Sequence, residues 1–543
     1  MKHSDDEYQR RKFLLTGSPV IVILSVTLPL LFHNSLNLIF SFFDTFTAAN
    51  MNSNVVTTVT FVTDIRNTLG AISAGLSVGA GIMISRTFGS GDMEKARTEI
   101  STVFFTALFM AIAVLAIFIP FSRPILRFAA FPEELLPQGT FFLSMEIVTL
   151  VFSFINTIFF ATEKARGRTK VVMYGNMTVL MVKTLLNGVI IALVSSGTME
   201  SDVAMFLLPV ASGIAFGSCS CFALKRIFSK DNMFRVSFGA ASFRRIPLIP
   251  LSKLSFPVMI EKFLVPFGKV ICNSFFIGFG AVGMAAFSCS QRILALATTP
   301  LNSFKDAESN IVSANLGNRD AKRALSFLFY TTLVTFGAGT VLFVIVALAS
   351  EPLISFFSKG NAELAAGMRI IYRIERWAAI FDATDAAMCG FLYALKKTRL
   401  PTVVNVVKLF CIRIPLFLIL TRVFGFGIEA IAWSILAANA VDALLSVLFA
   451  VFAVKELKKN ARIEQTNNER LTVAIGALGK WDSFDESTVG SEGIHVPEEV
   501  LEAMCMKFGG TLTAREMTAI YKEAVVEARI EALEKEELMV GMA

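Results

Sequence analysis

Apolar residues in this chain come in long runs rather than at amphipathic spacings. Twelve runs of about 20 residues are long enough to cross a bilayer as helices. They lie near 18–43, 54–85, 101–121, 138–162, 171–195, 203–228, 252–278, 282–308, 325–350, 367–395, 402–422 and 428–454. The pattern predicts an all-α polytopic membrane protein. Six crossings precede a polar connection at 230–250 and six follow it, giving an N-terminal lobe over 1–229 and a C-terminal lobe over 251–455. The first run follows Arg10, Arg11 and Lys12 as a signal peptide would, but it is too long for one and is expected to be retained.

An internal repeat relates the two halves. Ile84-Ser85-Arg86-Thr87-Phe88-Gly89-Ser90-Gly91-Asp92 returns 228 positions later as Val312-Ser313-Ala314-Asn315-Leu316-Gly317-Asn318-Arg319-Asp320. The same displacement carries Pro29 onto Pro257 and His33 onto Glu261, and, with one residue of slip, Arg168-Thr169-Lys170 onto Lys397-Thr398-Arg399. Six helices per half is an even number, so both halves enter the membrane in the same direction. The expected arrangement is two six-helix lobes related by a pseudo-twofold axis along the membrane normal, with a cavity between them near the midplane.

Charge adds orientation. Alternate loops carry 24 Lys and Arg, the opposite loops only Arg123, Arg127, Lys359 and Arg422. By the positive-inside rule both termini are expected to be cytoplasmic, in a multi-pass protein of the cell membrane. Composition agrees: hydrophobic residues make up 54% and charged residues 17%, and the mean hydropathy is +0.64, which excludes an ordinary water-soluble domain. The net charge of +7 conceals an acidic tail, since 464–543 holds 7 basic and 16 acidic residues. The seven cysteines form no C-x-x-C pair and only three histidines are present, so no metal site is expected. No Walker sequence points to ATP, and Gly75-x-x-x-Gly79 and Gly213-x-x-x-Gly217 read as helix-packing motifs. An enzyme is not expected, nor a nucleic-acid partner.

Several of these residues carry a family resemblance. Pro29 with Asp44, the run Gly75 to Asp92, Pro257 with Glu261, Asn315-Leu316-Gly317 and Arg413-Ile414-Pro415-Leu416 together resemble the multidrug and toxic compound extrusion (MATE) transporters over roughly 15–455. There are departures: Thr45-Phe46-Thr47-Ala48-Ala49 replaces the glycine usual after Asp44, and Ile191 stands where one branch carries Asp. The resemblance implies a cation-coupled antiporter, using H⁺ or Na⁺, that exports small organic molecules by alternating access. It also implies bending helices at Pro29 and Pro257 and a glutamate, Glu261, in cation coupling.

Ionisable groups inside the apolar runs are the candidate chemistry, because each costs about 2.5–3.5 kcal/mol to insert. Asp44 reads either as a coupling carboxylate or as a solvated residue at a helix end. Asp64 is expected to pair with Lys183 or another helix rather than with Arg66, two positions away. His33 reads as a titratable group or a hydrogen-bonded core histidine. Glu261 leads the C-terminal candidates, with Asp382 and Asp385; they either hold a cation together or neutralise Lys269, Arg292, Arg373 and Arg376. His33, Asp64, Glu146, Lys183, Asn187 and Arg292 are the candidate cavity residues, and Lys305, Asp306 and Glu308 read as a gate or interfacial network. So many basic residues keep a second reading alive, a flippase or an exporter of an anionic lipid-linked or zwitterionic substrate on the same fold.

After Val454, Lys455, Lys458, Lys459 and Arg462 form a patch suited to anionic lipid heads. The tail over 456–543 is expected to be partly helical, with Thr513 and Glu516 as a capping box, and either a solvated appendage or a dock for a cytoplasmic partner. The molecule itself is expected to be a monomer in the bilayer.

Overall fold

The computed structural model describes residues 2–49, 53–128, 131–229, 232–243, 245–358, 360–478, 489–490 and 493–494. The side chains of Asp44 and Asp64 lie outside the described set, as does the tail beyond Ile494 with Pro497, Thr513 and Glu516. Two compact units divide at Ala453/Val454.

The N-terminal lobe opens with a surface helix, α1 (Lys2–Thr16). The crossings follow: α2 (Pro19–Ala49), α3 (Ser53–Ser90) and α4 (Met93–Phe118), then, after the short α5 (Ser122–Phe128), α6 (Leu136–Ala165), α7 (Thr169–Ser195) and α8 (Ser201–Phe228). The C-terminal lobe holds α9 (Arg245–Phe276), then α10 (Gly280–Thr298) and α11 (Asn302–Gly317) as one broken crossing, and α12 (Ala321–Leu348). After α13 (Ser350–Ser358), α14 (Ala362–Glu375) and α15 (Ala378–Ala394) form a second broken crossing. A third joins α16 (Arg399–Val406) to α17 (Ile414–Arg422) through a π-helical stretch, Val407–Arg413. The last crossing is the start of α18 (Glu429–Leu478). In the second unit, Val489–Gly490 pairs antiparallel with Gly493–Ile494. This is a twelve-helix, two-lobe membrane architecture.

Among the described residues, nine helices are long and apolar enough to cross a membrane. The crossings outside that set are α9, α10–α11 and α14–α15, either broken midway or carrying Glu261, Lys269, Asp382 and Asp385.

The repeat explains how the lobes meet. A methyl on Gly89 would collide with the Ala314 carbonyl oxygen, and one on Gly317 with the Arg86 carbonyl oxygen. Ala314 and Gly317 are the repeat counterparts of Arg86 and Gly89, so the two contacts are one contact made twice about the pseudo-twofold axis. Ser85 Oγ donates to Asn310 Oδ1 at 2.9 Å beside them, and Asn34 Nδ2 donates to Ser303 Oγ at 2.8 Å. Gly75 and Gly79 let α3 approach the backbone of α9 at Met259 and Ser255. Only glycine permits such approach without displacing a main chain.

The repeat also builds matching helix starts. Gly91 has φ +88° and its counterpart Arg319 φ +59°. The next residue caps the following helix in each lobe: Asp92 Oδ1 accepts from Lys95 N at 2.9 Å, and Asp320 Oδ1 from Arg323 N at 2.8 Å. The connection at 230–250 is zipped along α4. Phe105 stacks edge-on to Phe238 at 5.2 Å, and Ser242 N donates to Thr102 Oγ1 at 2.9 Å.

Candidate functional site

Within the C-terminal lobe, α9, α11, α15, the π-helical stretch and α18 enclose a cavity of about 440 Å³. Its chemistry comes from helices that local sequence deforms. Pro415 follows the π-helical stretch and has no N–H to give to the Cys411 carbonyl, so the α-helical ladder fails there. The π register rests before that break and carries Lys408 and Arg413 on the cavity wall; such stretches recur at functional sites. Pro257 similarly leaves α9 without one backbone donor, and its own carbonyl accepts from Thr402 Oγ1 at 3.0 Å.

The carboxylates sit in ordered hydrogen-bond positions. Glu261, only 4% exposed, accepts from Tyr393 Oη at 2.9 Å, and Lys305 Nζ lies 5.0 Å from the centre of that tyrosine ring. Asp382 and Asp385, three apart on α15, share a face. Asp385 Oδ1 accepts from Ser446 Oγ at 2.6 Å and from Cys389 Sγ at 3.0 Å. Lys408 Nζ lies 2.7 Å from Asp442 Oδ2 and 3.8 Å from Asp382 Oδ1. The lining holds five basic residues, Lys262, Lys269, Lys305, Lys408 and Arg413, against three acidic ones, Glu261, Asp382 and Asp385. Asp442, 1% exposed, stands behind Lys408.

The structure thus gathers Glu261, Asp382 and Asp385 in one chamber. It does not bring Arg292 to that wall: Arg292 lies half-buried on α10 outside the lining. Neither Arg373, which is exposed, nor Arg376, stacked at 5.4 Å on Trp377, supplies the counter-charge. Lys408 does, on a wall that Lys269 also lines, and Lys408, Asp442 and Tyr393 are not among the residues singled out from the sequence. The signal was available, since Lys408 and Asp442 are isolated charges in the apolar runs 402–422 and 428–454. Of the three residues grouped as one network, Lys305 lines the chamber, Asp306 crosses to the other lobe and Glu308 is buried against Gly390.

The N-terminal candidates lie apart from this chamber. Glu146 on α6 sits 2.8 Å from Arg66 on α3, and the Arg66 guanidinium lies 4.9 Å from the Phe216 ring centre. Lys183 and the buried Asn187 are one turn apart on α7. His33 faces Asn37, whose Nδ2 is 2.8 Å from Nε2, on the helix that contains Pro29. Lys164 on α6 reaches Asp306 on α11 at 2.8 Å, an ion pair that joins the lobes.

A second polar cluster holds α1 in place. Arg166 pairs with Glu7 at 2.9 Å and with Glu163, while Arg168 reaches Asp6 at 2.7 Å and Glu7 at 2.8 Å. Arg11 donates to Gly89 O at 2.9 Å and to Asn318 Oδ1 at 3.4 Å, touching both copies of the repeat.

Two lobes of six helices, an inter-lobe seam and a charged chamber define a membrane transporter rather than a soluble binding module. The MatE family profile matches residues 29–189 and 257–419, opening each time on the repeated proline. The chain belongs to the MatE family. It is 19% identical over 399 residues to the multidrug export protein MepA of Staphylococcus saprophyticus, covering 73% of this chain and 85% of that one. It is 18% identical to the probable multidrug resistance protein YoeA of Bacillus subtilis, covering 69% and 81%. A MATE transporter solved in complex with MaL6 superimposes with TM-score 0.77 at 16% identity, over 82% of this chain and 99% of that one. A Pyrococcus furiosus transporter described as having a binding pocket of reversed polarity superimposes with TM-score 0.76 at 15% identity, over 82% and 98%.

Proposed function

We propose that the protein is a cation-coupled antiporter that exports small organic molecules across the cell membrane by alternating access between its lobes. The observation that carries this reading is the C-terminal chamber, where Glu261, Asp382 and Asp385 line one cavity. A carboxylate held in hydrocarbon needs a proton, a metal cation or a basic side chain. Exchange among these can be tied to helix movement at Pro257, one turn from Glu261. Asp44 and the bend at Pro29 are the N-terminal counterparts, and His33, Asp64, Glu146, Lys183 and Asn187 are the candidate groups facing cargo in that lobe. The basic loops support cytoplasmic termini, and the names of the relatives support a xenobiotic cargo. The working boundaries are lobes over 1–229 and 251–455, a connection over 230–250 and a tail over 456–543. The protein works as a monomer, and the tail is free to take a cytoplasmic partner.

A second reading of the cargo rests on the charge of the chamber wall alone. Five basic against three acidic residues on the chamber wall suit a zwitterionic or anionic molecule better than a simple organic cation.

The test is dye or drug efflux in inverted membrane vesicles under an imposed H⁺ or Na⁺ gradient, comparing the native chain with Asp44→Asn and Glu261→Gln. Transport that follows one gradient and drops at least about tenfold in either variant supports the antiporter. Full activity in both variants, or none under any gradient, sinks it.

A further inference from the structure

We propose that Lys408 is the resident cation of the C-terminal chamber, so that this site exchanges protons and excludes Na⁺. The inference rests on the antiporter reading and names its coupling ion. A Na⁺ site in a protein needs several oxygens converging on one point with net negative charge to spare. The point where Asp382 of the chamber wall and the buried Asp442 behind it converge is already filled, because the Lys408 ammonium lies between Asp442 and Asp382 at 2.7 and 3.8 Å. The other carboxylates are engaged as well: Glu261 with Tyr393, Asp385 with Ser446 and Cys389.

The charge count points the same way. Counting Asp442, four carboxylates face five basic side chains, Lys262, Lys269, Lys305, Lys408 and Arg413, so the chamber as a whole does not attract a further cation, and the local negative charge of Asp382 and Asp442 is taken up by Lys408. The placement is built into the fold. The π-helical stretch Val407–Arg413 sets Lys408 facing α15 and α18, and Asp442 is buried behind it. An ammonium that is part of the chain cannot leave, and it repels any Na⁺ entering the same cage.

A proton is not excluded in this way. Entering from the chamber, it forms an O–H bond on Asp382, whose side chain is 27% exposed, and turns that carboxylate into a neutral acid. Lys408 keeps its own protons and stays with Asp442. One of its two ionic contacts is lost, and the hold of α15 on the π-helical stretch weakens. Loss of the same proton restores the contact. Atoms and charge balance at each step, and no other co-reactant is required.

The experiment is equilibrium binding of ²²Na⁺ to the purified full chain in detergent, with choline as the replacing cation and carboxylates ionised. The native chain is expected to show no saturable Na⁺ binding. Lys408→Met, which leaves Asp382 and Asp442 facing each other, is expected to gain one saturable site, and adding Asp442→Asn is expected to remove it. Lys408→Arg, which keeps a tethered cation, is expected to gain none. Saturable Na⁺ binding by the native chain that Asp382→Asn or Asp442→Asn abolishes overturns the proposal, and this arm needs no folded Lys408 variant. A Lys408→Met protein that elutes like the native chain yet binds no Na⁺ overturns it as well. Failure of efflux under every gradient would instead sink the antiporter reading, and the Na⁺ binding data would still report on the cage.

Discussion

Arg66 and Glu146 show what a single charge does inside this bundle. They stand at ion-pair distance between α3 and α6, without the alignment of a hydrogen bond, and Glu146 is 6% exposed. Removing one partner of such a pair leaves a buried, uncompensated charge, which costs about 3–5 kcal/mol. Glu146→Gln is therefore expected to lower the thermal midpoint of the purified protein by several degrees. Arg66→Met combined with Glu146→Leu is expected to recover most of that loss, since apolar residues of similar volume replace such pairs at little cost. A midpoint unchanged in Glu146→Gln would show that the pair is solvated. Glu261, Asp382 and Asp385 were legible in the sequence because a charge inside an apolar run stands out. Their pairings were not: pairing depends on which helices touch, and Lys408 reaches Asp442 of α18 from a π-helical stretch that apolar periodicity does not report. Arg292 is likewise recognisable as a charge in its run, while its place outside the lining of this chamber is not readable from periodicity.

Helix ends were legible as a repeated motif before their geometry was known. Gly-Asp at 91–92 and Arg-Asp at 319–320 each place a left-handed residue ahead of a capping aspartate. Gly91 holds φ +88° without penalty, whereas an L-residue there loses roughly 1–2 kcal/mol. Gly91→Ala is expected to destabilise the protein by about 1 kcal/mol in denaturant titration and to fray the start of α4. No loss of stability would mean that the turn relaxes freely. Asp92→Ala is expected to cost a similar amount through the lost cap. Other element boundaries were beyond the sequence. The apolar run 282–308 marks the eighth crossing, which breaks at Pro300 and continues to Gly317, because Asn302–Gly317 is too polar to stand out as a membrane run. The surface helix α1 was read only as a source of positive charge; it is held by Arg166 and Arg168, whose sequence positions give no hint that Asp6 and Glu7 are their partners. Glu7→Gln is expected to lower thermal stability, since it leaves Arg166, itself 2% exposed, short of a counter-charge.

At the scale of the whole molecule the two lobes are clasped at the end where α3 and α11 finish. The clasp is made by Gly89 against Ala314, Gly317 against Arg86, Ser85 with Asn310 and Lys164 with Asp306, and Arg11 bridges Gly89 and Asn318. Each glycine contact meets a main-chain carbonyl rather than a flexible side chain, so a side chain at either position cannot be accommodated by a change of rotamer. Two packings of nearly rigid lobes convert a small steric change into a shift of populations. Under the alternating-access proposal, Gly89→Val is expected to act as a wedge on this state and to spare one in which the lobes part at this end. Glu94 and Lys322 are exposed at the starts of α4 and α12 and are repeat counterparts of each other, so they report the separation of the lobes symmetrically. Spin labels at Glu94→Cys and Lys322→Cys, in a chain whose own cysteines are replaced, are expected to give one short distance population in the native background. Adding Gly89→Val is expected to move most of that population to a longer distance, and Gly317→Val is expected to do the same. An unchanged distance in both variants, with the protein still folded, would mean that the glycine seam does not define the state, and that the clasp resides in Lys164–Asp306 and α1 instead.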